Sequence, residues 1–249
     1  MNYRILKSAL AAMLLAVASS AMAGEPVTGA QLDKLRAGLE KPDVGLKVLS
    51  AQTSEVSGLL EVTLSDGPVV YATPDGAHFI VGDLYQVGPA GYVNLAEQRR
   101  DKERATKLAA LKREDMIIFG PEEAARSHVT VFFDDTCFYC QKLHGEVAAL
   151  NESGVEVRYL AYPRAGLSSD AYKNLASAWC ADDPNATLVQ LINKQKVPVN
   201  VCEGNPVAAQ YKLGQELGVR GTPAIVTESG QMIPGYQSAD ELLVTLGLN

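Results

Sequence analysis

The feature that most restricts this chain is an apolar run, His128-Val129-Thr130-Val131-Phe132-Phe133. Three residues later comes Cys137-Phe138-Tyr139-Cys140, which opens a helical stretch reaching Leu150. The run reads as a buried strand, and the stretch after it carries helical periodicity. The spacing brings both sulfurs within disulfide reach inside one helical turn. At a helix N-terminus the first backbone N–H groups are unpaired, and with the aligned peptide dipoles they stabilise a thiolate. Cys137 is therefore expected to have a lowered pKa and to be the exposed nucleophile. Cys140, one turn deeper, is expected to be the resolving thiol. The chemistry implied is thiol–disulfide exchange through a mixed disulfide.

Two other chemistries compete for this pair. A zinc site would need two further ligands; His144 lies one turn on, while Cys180 and Cys202 are far along the chain. A purely structural disulfide here would close only a four-residue loop and so restrain little entropy. The redox reading is preferred because an export leader and a later proline loop agree with it. The leader is residues 1–23: Arg4 and Lys7, then apolar Ala9–Ala18, then Ala21-Met22-Ala23 as a small-x-small cleavage pattern. The apolar run is too short to span a bilayer, so a cleaved secretory signal is expected rather than an anchor. An oxidising compartment then permits stable disulfides. With 22 Lys and Arg against 29 Asp and Glu, the net charge of −7 argues against nucleic acid as a partner. Nothing in the reading requires a cofactor or a metal.

Three regions follow the leader. Residues 24–93 begin with an amphipathic helix, Gln31–Glu40, carrying Leu32, Leu35 and Leu39 at helical spacing. Short β-rich runs follow, GLKVLSA, GLLEVTLSDG, PVVYATPDG and HFIVGDLYQV, broken at Asp66-Gly67 and Pro74-Asp75-Gly76. A small antiparallel sheet beside one helix fits, and a core of that size hints at a partner surface. Residues 94–115 lack Gly and Pro and carry charges of both signs. Asn94 is a candidate cap and Glu103–Lys107 a favourable pair. Having little to bury, this helix is expected to be an exposed connector, with an ordinary surface helix as the alternative. Residues 116–249 alternate strands and helices and read as an α/β domain.

Two further features belong to that last region. In Val219-Arg220-Gly221-Thr222-Pro223-Ala224-Ile225-Val226, a proline enters an apolar strand. A cis Thr222–Pro223 bond would fix a tight turn and leave the Thr222 backbone free to pair with an extended substrate. Cys180 and Cys202 are the other natural pair; closing their loop would stabilise by roughly 3 kcal/mol. Two buried free thiols, or a second redox pair relaying electrons, are the alternatives.

Together, VFFDDTCFYCQKLH at 131–144, RYLAYPRAGLSSDA at 158–171, Trp179-Cys180, LGVRGTPAIV and Pro234-Gly235-Tyr236-Gln237 resemble the periplasmic DsbC/DsbG family of thioredoxin-fold disulfide isomerases, nearer its DsbC branch. The resemblance covers essentially all of residues 24–249. It implies an α+β N-terminal dimerisation domain of cystatin-like form, joined by a linker helix to an α/β thioredoxin-like catalytic domain with a helical insertion. It also implies an attacking Cys137, a resolving Cys140, and a substrate-holding surface of Phe138, Tyr139, Thr222 and cis-Pro223. Cys180 and Cys202 correspond to a structural disulfide. Misfolded or misoxidised exported proteins would be the clients, a homodimer the working form, and the membrane reductase DsbD the electron donor. A chaperone activity is also implied.

Two departures stand out. Phe138-Tyr139 replaces the family's Gly-Tyr or Pro-Tyr, which enlarges the apolar rim, and Gln141 replaces a frequent histidine, which removes a cation beside the thiolate. The competing functions are a net thiol oxidase of the DsbA type and a holdase chaperone with incidental thiols.

Overall fold

The computed structural model describes residues 24–65, 69–89 and 91–248, and by its contacts the chain divides after Leu84. The leader reading and the Asp66-Gly67 turn lie outside the described residues.

The first unit is one helix and an antiparallel meander. Helix α1 (Gly29–Leu39) packs against β1 (Val48–Thr53), the first strand of a sheet that continues through β2 (Leu60–Leu64), β3 (Val70–Ala72) and β4 (Phe79–Val81) in that order. Leu35 is fully buried, and Leu32 and Leu39 flank it, as their spacing predicts. The core is completed by Val48, Ala51, Leu60, Val62 and Val70. Edge strand β4 is different: Phe79, Ile80 and Val81 are all exposed. The run HFIVGDLYQV is not one strand, for β4 ends at Val81 and β5 (Tyr85–Gly88) pairs instead with β6 (Gly91–Asn94).

In the second unit, Asn94 caps α2 (Leu95–Ala109), its Oδ1 accepting from the Glu97 N–H at 3.1 Å, and Glu103 pairs with Lys107 at 2.9 Å. The expected exposed connector is corrected in one respect. Arg104, only 5% exposed, donates to the carbonyls of Leu217 (3.3 Å) and Gly230 (3.4 Å). Its Nη1 also lies 2.7 Å from both Glu97 and Asp101. A residue that looks like one more surface charge thus docks the helix onto its own unit, and Leu95, Ala96 and Leu108 are buried with it.

The central sheet has order β11-β10-β8-β9-β7, built from β7 (Ile117–Phe119), β8 (Ser127–Phe133), β9 (Val155–Ala161), β10 (Ala224–Thr227) and β11 (Met232–Pro234). Only β8 and β9 are parallel. The crossover between them is two helices, α3 (Phe138–His144) and α4 (Val147–Glu152), not the single helix expected through Leu150. The break falls at Glu146, whose carboxylate accepts from the Tyr236 hydroxyl (2.6 Å) and the Ala239 N–H (3.1 Å). Helices α5 (Asp170–Trp179), α6 (Pro184–Ile192), α7 (Val207–Glu216) and α8 (Ala239–Leu246) complete the unit. Buried Phe133, Leu143, Leu150, Tyr159, Leu175, Leu188, Ile225 and Leu242 hold the layers together.

Candidate active site

Strand order explains why residues 85 apart in sequence meet. Strands β8 and β10 are antiparallel with Ala224 opposite Phe132, so the residues leaving β8 lie beside those entering β10. The Thr222–Pro223 bond is cis, and the Cys137 thiol reaches the Thr222 carbonyl at 3.1 Å.

The loop between β8 and α3 is organised by Asp134, a buried carboxylate the sequence reading did not single out. Its Oδ1 accepts from the Thr136 N–H at 2.8 Å and from the Thr136 hydroxyl, and its Oδ2 from the Arg164 N–H (2.7 Å) and Nε (3.2 Å). This places Cys137 at the cap of α3, where its sulfur accepts from the Cys140 N–H at 3.4 Å. It also brings the Arg164 charge near the sulfur. The visible hint was Asp134-Asp135, one residue short of the motif; the partner thirty residues on had none.

The two thiols are pushed in opposite directions. Cys137 is lowered to about 5, first by a hydrogen bond from the Cys140 thiol, with help from the Cys140 N–H and Arg164 and against the effect of burial. Burial raises Cys140 far above the ordinary thiol range. Helix α3 is only seven residues long, so nearby donors matter more here than an extended dipole. The expectation of an exposed Cys137 is corrected: it is 3% exposed, with the Thr222 carbonyl against its sulfur. Exposure lies instead with Phe138 (68%) and Tyr139 (56%), whose rings meet edge to face at 5.4 Å. Tyr139 also lies 6.5 Å from Tyr236, over which Lys142 places its ammonium at 4.1 Å.

His144 is engaged by another partner, its Nδ1 lying 3.0 Å from the hydroxyl of fully buried Tyr159. Among the described residues, no group of three or more His, Cys, Asp and Glu is arranged to hold a metal. Cys180 and Cys202 form a disulfide, while Cys137 and Cys140 are free thiols.

Residues 114–247 match the family described as Thioredoxin-like domain, and residues 19–97 match the one described as Disulfide bond isomerase protein N-terminal domain. The thiol:disulfide interchange protein DsbC of Escherichia coli is 39% identical over 199 residues, covering 80% of this chain and 81% of that protein. This chain belongs to the DsbC family. DsbC of Haemophilus influenzae is 33% identical over 241 residues, 97% of this chain and 98% of that protein. A linker-deletion variant of Proteus mirabilis ScsC has the same fold, with a TM-score of 0.50 at 20% identity over 61% of this chain and 83% of that one.

Membership makes the chain a periplasmic thiol:disulfide interchange protein, with a β-rich N-terminal dimerisation domain and a thioredoxin-like catalytic domain joined by helices.

Proposed function

We propose that the chain is a protein disulfide isomerase with reductase activity, in which Cys137 attacks and Cys140 resolves. The observation that carries this is the opposed state of the two thiols: Cys137 held near 5 and Cys140 held protonated one turn away. At periplasmic pH one sulfur is a nucleophile and the other waits.

The Cys137 thiolate attacks one sulfur of a client disulfide, forming a mixed disulfide and releasing a client thiolate. If another client thiolate then attacks the client sulfur of that bond, a new client disulfide forms and Cys137 leaves as thiolate. No net oxidation occurs. If Cys140 attacks Cys137 instead, its proton passes to the departing client sulfur. The client leaves reduced and Cys137–Cys140 is oxidised. Two electrons and one proton, the latter for Cys140, are then needed to reset the pair with Cys137 as thiolate, and we assign that supply to DsbD. Phe138, Tyr139, Thr222 and Pro223 would hold the client segment, and Cys180–Cys202 would be a fixed brace.

We keep residues 24–93 as the dimerising part, 94–115 as the link and 116–249 as the catalytic part. The exposed apolar edge of β4 supports the first assignment, because an unpaired edge invites a second strand. A chaperone activity would use the same apolar surfaces.

A low thiol pKa also favours a net oxidase, since it makes Cys137 a good leaving group and the oxidised pair more oxidising. Trapping the pair in intact cells, with and without a reducing membrane partner, separates the readings. A mainly reduced pair that becomes oxidised when the partner is removed supports isomerase and reductase; a mainly oxidised pair throughout supports oxidase.

A further inference from the structure

An open cavity of about 320 Å³ is lined by Thr136 and Phe138, the chain neighbours of Cys137, and by Asp135, Gln141, Asn174, Leu191 and Lys194 among others. Its acceptor is Asp135, a carboxylate only 8% exposed. Asn174 Nδ2 donates to its Oδ2 at 2.8 Å, while the buried Oδ1 has no hydrogen-bond partner. The neighbouring Thr136 N–H is already engaged with Asp134. A buried carboxylate oxygen without a donor is an exception that calls for an explanation.

The surrounding amides have the matching polarity. Gln141 gives its Nε2–H to the Asp135 carbonyl at 3.0 Å, and Asn174 gives its own to Asp135. Each amide that donates inward keeps a carbonyl oxygen as acceptor. Exposed Phe138 and buried Leu191 supply apolar walls for an alkyl stem or a guanidinium face. Lys194 is exposed on the lining and carries the opposing charge.

We propose that this cavity is a client subsite that takes a cationic side chain, arginine or lysine, from the polypeptide segment flanking the disulfide under attack. The proposal rests on Cys137 being the attacking sulfur. It makes Asp135 a specificity-determining residue and Gln141 more than a lost cation, since a histidinium at that position would repel the same guest.

The test uses the full-length reduced protein and short peptides carrying one activated disulfide, with Arg, Lys, Leu or Glu at each position flanking the cysteine. Mixed-disulfide formation is timed for each. The expected result is a preference of about tenfold for Arg over Leu at one flanking position, with Lys intermediate and Glu poorest. In Asp135→Asn the Arg-over-Leu ratio falls toward parity, whereas in Glu122→Gln, which removes a charge outside the cavity, it does not. Should Asp135→Asn fold poorly, Lys194→Gln reads the same site from its rim and raises the ratio. Equal rates for Arg and Leu peptides in the wild type would overturn the proposal, as would an undiminished ratio in Asp135→Asn. Absence of any Cys137 adduct with every peptide would instead overturn the assignment of the attacking sulfur.

Discussion

The sulfur of Cys137 lies 3.1 Å from the carbonyl oxygen of Thr222, across the junction of two antiparallel strands. A client strand pairing with the Thr222 backbone would therefore be registered against the attacking atom.

The state of Cys137 sets the pH response. Labelling of the reduced protein by a thiol reagent should rise through an inflection near pH 5, with Cys140 silent. The same shift bears on stability. Cys137 titrates near 5 folded and near 9 unfolded, so its contribution is full above about pH 9 and is lost as pH falls to about 5. Cys140 acts in the opposite sense, losing stability only as pH rises above 9. Urea midpoints should show the gap between reduced wild type and Cys137→Ser widening from about pH 5 to about pH 8.

The disulfide should hold shape without carrying exchange. Replacing Cys180 and Cys202 by alanine together should cost about 3 kcal/mol in denaturant unfolding, from the loop it closes. The Cys137 labelling profile should stay in place, and reshuffling per folded molecule should persist.

Docking of α2 depends on Arg104 and Gly230 jointly. Arg104→Met takes their donor from two carbonyls and the Asp101 carboxylate, while Glu97 keeps Arg100 at 2.6 Å, and should cost about 3 kcal/mol. Gly230 has φ +89°, and a Cβ there would strike the Asp101 carbonyl, so Gly230→Ala should cost a similar amount, about 3 kcal/mol. Both act through one contact, so the double variant should lose clearly less than the sum in a double-mutant cycle.

Dimerisation is testable on the β4 edge. Ile80→Asp places a charge on an exposed apolar strand without disturbing a buried side chain. Sedimentation should show a monomer, and isomerisation of whole proteins should fall about tenfold or more while exchange with small disulfides survives.

Much of this was legible from local pattern. The β8–Cys137–α3 junction follows from a buried strand beside a helix-starting motif, and α1 from three leucines at helical spacing. What escaped was mostly contact between distant residues. Arg104 carries the same composition signal as its exposed neighbours, yet its partners lie 113 and 126 residues away. The break between α3 and α4 falls at Glu146, whose carboxylate is held by Tyr236 and Ala239 some ninety residues on, which no helical period records. Strand β7, only three residues long, is too short to show alternation. Asp135 was invisible as a site because its significance is an unmet hydrogen bond.

The most direct test of the account is covalent trapping. Cys140→Ser protein, mixed with a scrambled multi-disulfide client and quenched in acid, should accumulate a client adduct mapped by mass spectrometry to Cys137. The adduct should be absent in Cys137→Ser, which should also fail to reshuffle the client. An adduct mapping to Cys180 or Cys202, or reshuffling by Cys137→Ser at the wild-type rate, would contradict it.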